Sequence, residues 1–410
     1  MLTEIFVAAL VLTTGVRLWL ATRHRAHVAA HRSEVPVAFR EAIPLEAHQK
    51  AADYTVARAS LGRADVVIGA LWLLVLTLGG GLQWMFDLAG SLAGDGMVRD
   101  LVFIGIVAFA SSLIDLPVLM WRTFVIEQRF GFNKMTLGMF FGDQIKHGLI
   151  GAAIGAPAVA AVLWIMDSLG AAWWVYAWAF WLTFSLAMMV LYPTFIAPLF
   201  NKFEPMPAGE LRSRIEALLE RCGFRSDGLF VMDGSRRSAH GNAYFTGFGK
   251  GKRIVFFDTL LNRLGGDEIE AVLAHELGHY KHHHIWKRVG WIAAGSLAFF
   301  ALLGWLVDAP WFFEQLGVSS QGDAMALTLF ALVIPVFSFP LSPLLSLMSR
   351  KHEFEADAYA VAQTRADWLV TALVKLYRDN ASTLTPDPLY SQFYDSHPPA
   401  ALRVARLQST

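Results

Sequence analysis

The chain has 410 residues, with 34 lysines and arginines balanced by 34 aspartates and glutamates, and 55% of its residues are hydrophobic. Only 17% of the residues are charged, against about 25% in an average soluble domain. This composition excludes a disordered chain and a nucleic-acid-binding protein with a broad basic face. The single cysteine, Cys222, excludes a disulfide framework and a cysteine-rich metal site.

Long apolar segments predict a protein that crosses the membrane seven times. A spanning helix needs about 20 mostly apolar residues. Seven segments meet this requirement, at residues 3–21, 65–86, 100–121, 148–168, 172–198, 288–308 and 325–348. We expect the first span to be retained rather than cleaved, because the residues before its apolar run are acidic instead of basic. Residues 22–60 are interpreted as a polar, basic connection.

The distribution of basic residues predicts the orientation of these spans. If the spans alternate in direction, 32 of the 34 lysines and arginines lie on one side of the membrane. The positive-inside rule assigns that side to the cytoplasm, so the N-terminus is expected outside and the C-terminus inside. Arg17 and Asp115 fall within predicted spans, where charged side chains usually face protein or water.

Two cytoplasmic segments, residues 201–287 and 350–410, are long enough to build one small domain together. The first segment is predicted to contain a helix over residues 209–221 and strands at residues 229–232 and 253–257. Residues 242–245 are compatible with a further extended run. The predicted organisation is therefore a membrane part (residues 1–200), a cytoplasmic segment (201–287), two further spans (288–349) and a C-terminal part of the cytoplasmic domain (350–410).

A five-residue pattern in the first cytoplasmic segment predicts a metal site. His275 and His279 are four residues apart, so on a helix that begins near Asp267 both imidazoles lie on one face and can reach the same ion. Glu276 stands beside them, where it can accept a proton from a water molecule on that ion. The alternative is an ordinary helix surface, which the apolar neighbours Val272 and Leu273 disfavour.

A catalytic zinc site needs a third protein ligand, and the residue pattern alone leaves its identity open. One set of candidates is the run His282, His283 and His284, which is more typical of an exposed helix end and is expected to lie mostly off the ligand face. The other candidate is Glu353. On a helix, Asp357 would lie one turn after Glu353 and could orient a ligand imidazole, whereas Glu355 would point elsewhere.

Taken together, the sequence resembles the type I CaaX prenyl endopeptidases, which are membrane zinc metalloproteases that cleave prenylated C-terminal tails. The resemblance extends through most of the chain. It rests on the metal helix and on seven further runs, at residues 127–134 (EQRFGFNK), 192–203 (YPTFIAPLFNKF), 234–238 (GSRRS), 242–245 (NAYF), 252–261 (KRIVFFDTLL), 349–357 (SRKHEFEAD) and 396–399 (SHPP). Residues 22–60 match poorly, and His352 and Glu355 occupy variable positions.

The resemblance implies a fold and a set of site residues. The expected fold is an all-α polytopic membrane protein in which seven helices enclose a chamber, capped by a small zincin-like domain with a short β segment. One zinc ion per chain is expected on His275, His279 and Glu353. The resemblance also implies that Asn242, His397 and Arg403 line the active site.

The implied function is that of a zinc metalloendopeptidase that cuts near the C-terminus of a membrane-delivered protein or peptide. Its expected partners are that substrate and the lipid bilayer, with no nucleic acid and no prediction of oligomeric state. One alternative is a heat-shock type of membrane metallopeptidase that degrades misfolded membrane proteins. A transporter or channel with a metal-binding helix is disfavoured by Glu276, since a simple binding site needs no acid there. An inactive relative is disfavoured because every expected ligand is present.

Overall fold

A computed structural model describes residues 1–246 and 252–409 of the chain. Within these residues, seven helical segments are long and apolar enough to cross a membrane, which confirms the predicted number. These segments are Leu2–Ala30, Leu45–Leu76, Met97–Glu127, Leu137–Ser168, Gly170–Leu199, His284–Leu306 and Asp323–Gln363.

The secondary structure is mostly helical, with four short strands between the fifth and sixth spans. In chain order the elements are α1 (Leu2–Ala30), α2 (Leu45–Leu76), α3 (Gly81–Ala93), α4 (Met97–Met120), α5 (Leu137–Ser168), α6 (Trp173–Leu191), β1 (Phe203–Pro205), α7 (Glu210–Arg221), β2 (Gly228–Met232), β3 (Ala243–Thr246), β4 (Arg253–Phe257), α8 (Asp258–Leu261), α9 (Gly266–Lys281), α10 (His284–Leu306), α11 (Pro310–Glu314), α12 (Asp323–Ser338), α13 (Ser342–Gln363), α14 (Ala366–Asp379), α15 (Pro388–Tyr394) and α16 (Ala400–Gln408).

The second span differs from its prediction, because α2 ends ten residues before the predicted end at residue 86. A run of three glycines explains the break. A Cβ atom at Gly79 would lie 2.8 Å from the carbonyl oxygen of Val75, and Gly80 has a φ of 74°, which favours glycine. The apolar residues beyond the break belong to α3. The connection at residues 22–60 is also largely helical, since α1 continues to Ala30 and α2 begins at Leu45.

The spans are packed against one another at the end remote from the strands and open in their middle segments. Phe6, Phe103 and Leu303 are among the buried side chains that form a core at the packed end. By contrast, five spans contain no buried residue over long stretches, at residues 55–75, 108–125, 144–162, 178–195 and 285–302. Since a helix in a solid bundle buries a stripe along one face, these middle segments are not packed together as a solid bundle.

The strands form one sheet in the order β1-β2-β4-β3. β2 and β4 are parallel, and the outer strands β1 and β3 pair with them in the antiparallel sense. The predicted strands at residues 229–232 and 253–257 are thus confirmed, and the extended run after Asn242 is β3. In the described part of the chain, β3 pairs with β4 alone, so its other edge is open.

α9 and α13 cross closely, and this crossing brings the two histidines of α9 near Glu353 and Asp357 of α13. At the crossing, a Cβ atom on Gly278 would lie only 2.8 Å from the Cα of Ala356. α13 follows α12 within the seventh apolar segment and continues to Gln363. Glu353 and Asp357 therefore lie on the part of α13 that packs against α9.

Candidate active site

The metal helix α9 holds both predicted histidines toward one point. Its first turn is capped by Glu268, whose carboxylate accepts a hydrogen bond from the backbone N–H of Gly265 at 2.7 Å. From Glu268 to Gly278 all residues except Glu276 are buried, so the helix is fixed on most of its surface. The Nε2 atoms of His275 and His279 lie 3.3 Å apart, as expected for imidazoles one turn apart on the same face.

Glu353 completes a group of three side chains that fits a metal ion. Its Oε2 lies 3.4 Å from Nε2 of His275, and its Oε1 lies 3.3 Å from Nε2 of His279. One ligand atom from each residue lies within 4.8 Å of the others. Oε2 of Glu353 is buried and has only long contacts, to His275 and, at 3.5 Å, to Nη1 of Arg403, so a bound cation would satisfy it better. Two imidazoles and one carboxylate are a typical donor set for catalytic zinc.

Asp357 and Arg403 support His275 from the side opposite the ligand group. Oδ1 of Asp357 lies 2.8 Å from Nδ1 of His275. Arg403, on α16, donates two hydrogen bonds to the Asp357 carboxylate, at 2.9 and 2.6 Å. Burial by itself lowers the pKa of His275, but the hydrogen bonds to Asp357 and Glu353 outweigh it and raise that pKa to about 9.

Glu276 lies on α9 next to the group and is only partly buried. In the described residues its carboxylate has no hydrogen bond or ion pair with another side chain. Desolvation raises the pKa of Glu276, against the opposing effect of the His275 and His279 imidazoles. A carboxylate that is unpaired and has a raised pKa is suited to accept a proton from a molecule in the cleft.

His397 contacts the ligand group, whereas the described contacts of the Asn242 side chain include none with that group. His397 Nε2 lies 3.4 Å from Oε1 of Glu353, while 57% of the His397 side chain remains exposed. Partial desolvation lowers the pKa of His397 despite the nearby Glu353 carboxylate. Asn242 is exposed at the start of the open-edged strand β3, where its Oδ1 accepts a hydrogen bond from the N–H of Ala243 at 2.8 Å.

One member of the run of three histidines, His284, contacts a ligand side chain although it is not part of the ligand group. His284 is buried, with its Nδ1 3.0 Å from Nδ1 of His279 and its Nε2 2.9 Å from Oε2 of Glu355. His284 is five residues after His279, and α9 ends at Lys281, between the two. Helical periodicity in the sequence therefore did not predict this contact. His283 has a φ of 56°, and this left-handed residue redirects the chain into α10.

Comparisons with known proteins agree with this arrangement. Residues 24–202 match the family described as CAAX prenyl protease N-terminal, five membrane helices, and residues 205–410 match peptidase family M48. The chain belongs to peptidase family M48. As an M48 peptidase with seven membrane-capable helices, it is a multi-pass membrane metallopeptidase.

Individual M48 relatives cover most of the chain. A CAAX prenyl protease 1 homolog of Arabidopsis thaliana is 41% identical over 333 residues, which cover 79% of this chain and 78% of that protein. The CAAX prenyl protease 1 homolog of Homo sapiens is 32% identical and covers 99% and 96%. The crystal structure of S. mikatae Ste24p has a TM-score of 0.94 at 32% identity and covers 99% and 98%. The seven-helix fold is therefore shared with a solved structure.

Proposed function

We propose that the protein is a zinc metalloendopeptidase that cleaves near the C-terminus of CaaX-like, prenylated proteins or peptides delivered through the membrane. The observation that carries this proposal is the cluster of His275, His279 and Glu353, which a helix continuous with a membrane span completes. A lipid-modified chain could approach such a cluster from the bilayer, because the helix that carries Glu353 continues from a membrane span.

Each side chain of the site has a role that its position supports. His275, His279 and Glu353 would hold a zinc ion, which would supply Lewis-acid chemistry at the scissile carbonyl. Glu276 accepts the proton of the attacking water and passes it to the leaving amine. Asp357, itself held by Arg403, accepts a hydrogen bond from Nδ1 of His275 and so fixes the orientation of that ligand.

The substrate is proposed to bind along the open edge of the sheet. An extended peptide that pairs with β3 would form backbone hydrogen bonds like those of an added strand. In this proposal Asn242, just before β3, and the exposed His397 face the oxygen of the scissile carbonyl. Both can donate a hydrogen bond to the oxyanion that develops there.

The proposal is tested with purified protein and a pair of synthetic peptides that share one CaaX-type sequence, of which only one is prenylated. We expect zinc-dependent cleavage of the prenylated peptide and little cleavage of the other. In cells, C-terminal proteomics with and without Glu276→Gln should show a change at prenylated C-termini. Cleavage spread over internal sites of misfolded membrane proteins would instead favour the quality-control function.

The proposed orientation places the catalytic domain in the cytoplasm and the N-terminus outside. Its support is the bias of basic residues toward the side that carries the strands. Two exposed serines serve as reporters, Ser319 at the remote end of the spans and Ser382 in the catalytic domain. In a Cys222→Ala background, Ser319→Cys should react with an impermeant thiol reagent in intact cells and Ser382→Cys should not. The reverse pattern would invert the orientation.

A further inference from the structure

The two histidine ligands of the cluster are supported in different ways. Nδ1 of His275 faces a carboxylate, Asp357, at 2.8 Å. Nδ1 of His279 faces another imidazole nitrogen instead, Nδ1 of His284, at 3.0 Å. The support of His279 therefore depends on which of the two facing nitrogens carries a proton.

One assignment of protons makes hydrogen bonds of both His284 contacts, to His279 and to Glu355. A neutral imidazole has one donor nitrogen and one acceptor nitrogen. Since Nε2 of His279 faces the metal position, its proton lies on Nδ1, which donates to Nδ1 of His284. His284 then carries its own proton on Nε2 and donates it to Oε2 of Glu355 at 2.9 Å. Glu355 thus determines the tautomer of His284, and His284 that of His279.

Neighbouring side chains restrict the movement of His284 and Glu355. Only 2% of the His284 side-chain surface is exposed, and its ring stacks on that of His352 with centroids 4.0 Å apart and planes at 13°. On the other side, Glu355 lies 4.0 Å from Nζ of Lys287 and 3.9 Å from Nζ of Lys351. A buried, stacked ring between two fixed partners has little freedom to rotate.

We propose that His284 is a positioning residue that fixes the tautomer and ring orientation of the metal ligand His279, and that Glu355 fixes His284 in turn. This inference rests on the proposed zinc site and adds two residues, His284 and Glu355, that are not metal ligands. His284 lies outside the ligand group, because its Nδ1 is turned to His279 and its Nε2 to Glu355. It acts on the ion only through His279.

The experiment measures zinc affinity by chelator competition on the purified full-length protein, together with the visible spectrum of the Co²⁺-substituted form. Loss of an outer-shell partner of a ligand typically lowers metal affinity about 10–100-fold, and we expect this for His284→Ala. His284→Asn places an acceptor oxygen near the position of Nδ1 and should restore most of the affinity. The matched control is His283→Asn, which suits the left-handed backbone at that position and should leave affinity and spectrum unchanged.

The outcomes separate this inference from the zinc site itself. Wild-type affinity and an unchanged Co²⁺ spectrum in His284→Ala would overturn the positioning role. Failure of the wild-type protein to bind zinc would instead overturn the metal site. If His284→Ala does not fold, Glu355→Ala provides the test, with Glu220→Ala, at an exposed position of α7, as its control. Zinc affinity should then fall in Glu355→Ala alone, and equal affinities in the two variants would contradict the inference.

Discussion

The catalytic helix and the middle of the membrane domain differ sharply in packing. On α9, ten of the eleven residues from Glu268 to Gly278 are buried, and the helix touches α13 almost backbone to backbone at Gly278. In the membrane domain, stretches such as residues 55–75 and 144–162 bury no residue at all. The protein thus combines a tightly fixed reaction centre with membrane helices whose middle segments bury few side chains.

This difference indicates how the two parts divide their tasks. A metal centre needs ligands held within fractions of an ångström, and close packing over most of the α9 surface supplies that constraint. The middle segments of the spans have no such constraint, and the spans are held together by the packed core at their remote end. Single substitutions should therefore have opposite consequences in the two regions.

The largest effect is expected from a substitution that leaves the packing of the site intact. Glu276→Gln preserves size and removes the proton acceptor, so we expect turnover to fall about 10²–10⁴-fold. Zinc content and melting temperature should stay as in wild type, because Glu276 is not among the ligands. Steady-state kinetics, metal analysis and thermal melts provide the measurement. Substantial residual activity would remove Glu276 from its proposed role.

The next effect concerns the two exposed residues of the site. Asn242→Ala and His397→Ala should each lower kcat and kcat/KM together, by about 10²–10³-fold, if their side chains donate to the oxyanion. Neither is buried against the core, so the melting temperature should change little. The comparison needs kinetics, bound zinc and melts on the same preparations. A lowered melting temperature with normal kcat per folded molecule would instead indicate a structural role.

A smaller effect is the pH dependence of zinc binding. The pKa of about 9 for His275 in the metal-free cluster means that zinc must displace a proton at neutral pH. Below that pKa the deprotonated fraction falls as the pH falls, so apparent zinc affinity should weaken by about tenfold per pH unit between about pH 8 and pH 7. Calorimetry in buffers of different ionisation enthalpy measures the released proton.

The control for this prediction is Asp357→Asn. The hydrogen bond from His275 to the Asp357 carboxylate is the largest effect that raises the His275 pKa, so the variant should release less proton on zinc binding at pH 7. Its dependence of affinity on pH should also be flatter over the same range. An unchanged proton release would show that another group carries the displaced proton.

The smallest effect is the change in stability when one methyl group is added in each of the two regions. Gly278→Ala places a Cβ 2.8 Å from the Cα of Ala356, and overpacking of this kind typically costs about 1–3 kcal/mol of stability. Gly151→Ala, in an open stretch of α5, has no atom within 4 Å of the new Cβ, so it should leave stability unchanged or slightly raised. Equal loss of stability in the two variants would contradict the difference in packing.

The regular elements were largely predictable because their signals are local. Seven apolar runs of sufficient length predicted seven spans, and β-branched and aromatic residues predicted β2 and β4. The exception is the end of α2, where apolar residues continue past the break. The turn that ends this helix has no room for a side chain at Gly79, and hydropathy does not report this requirement for glycine.

The sequence by itself determined the membrane character of the protein and the pair His275 and His279 on one helical face, because both follow from length and helical periodicity. Only the tertiary structure decided what lies around that pair. His284 and Glu355 are 71 residues apart, and Arg403 reaches Asp357 across 46 residues. These contacts depend on the left-handed turn at His283 and on the close approach of α9 to α13. Neither produces a periodic signal in the sequence, since each arises from backbone geometry and packing between distant segments.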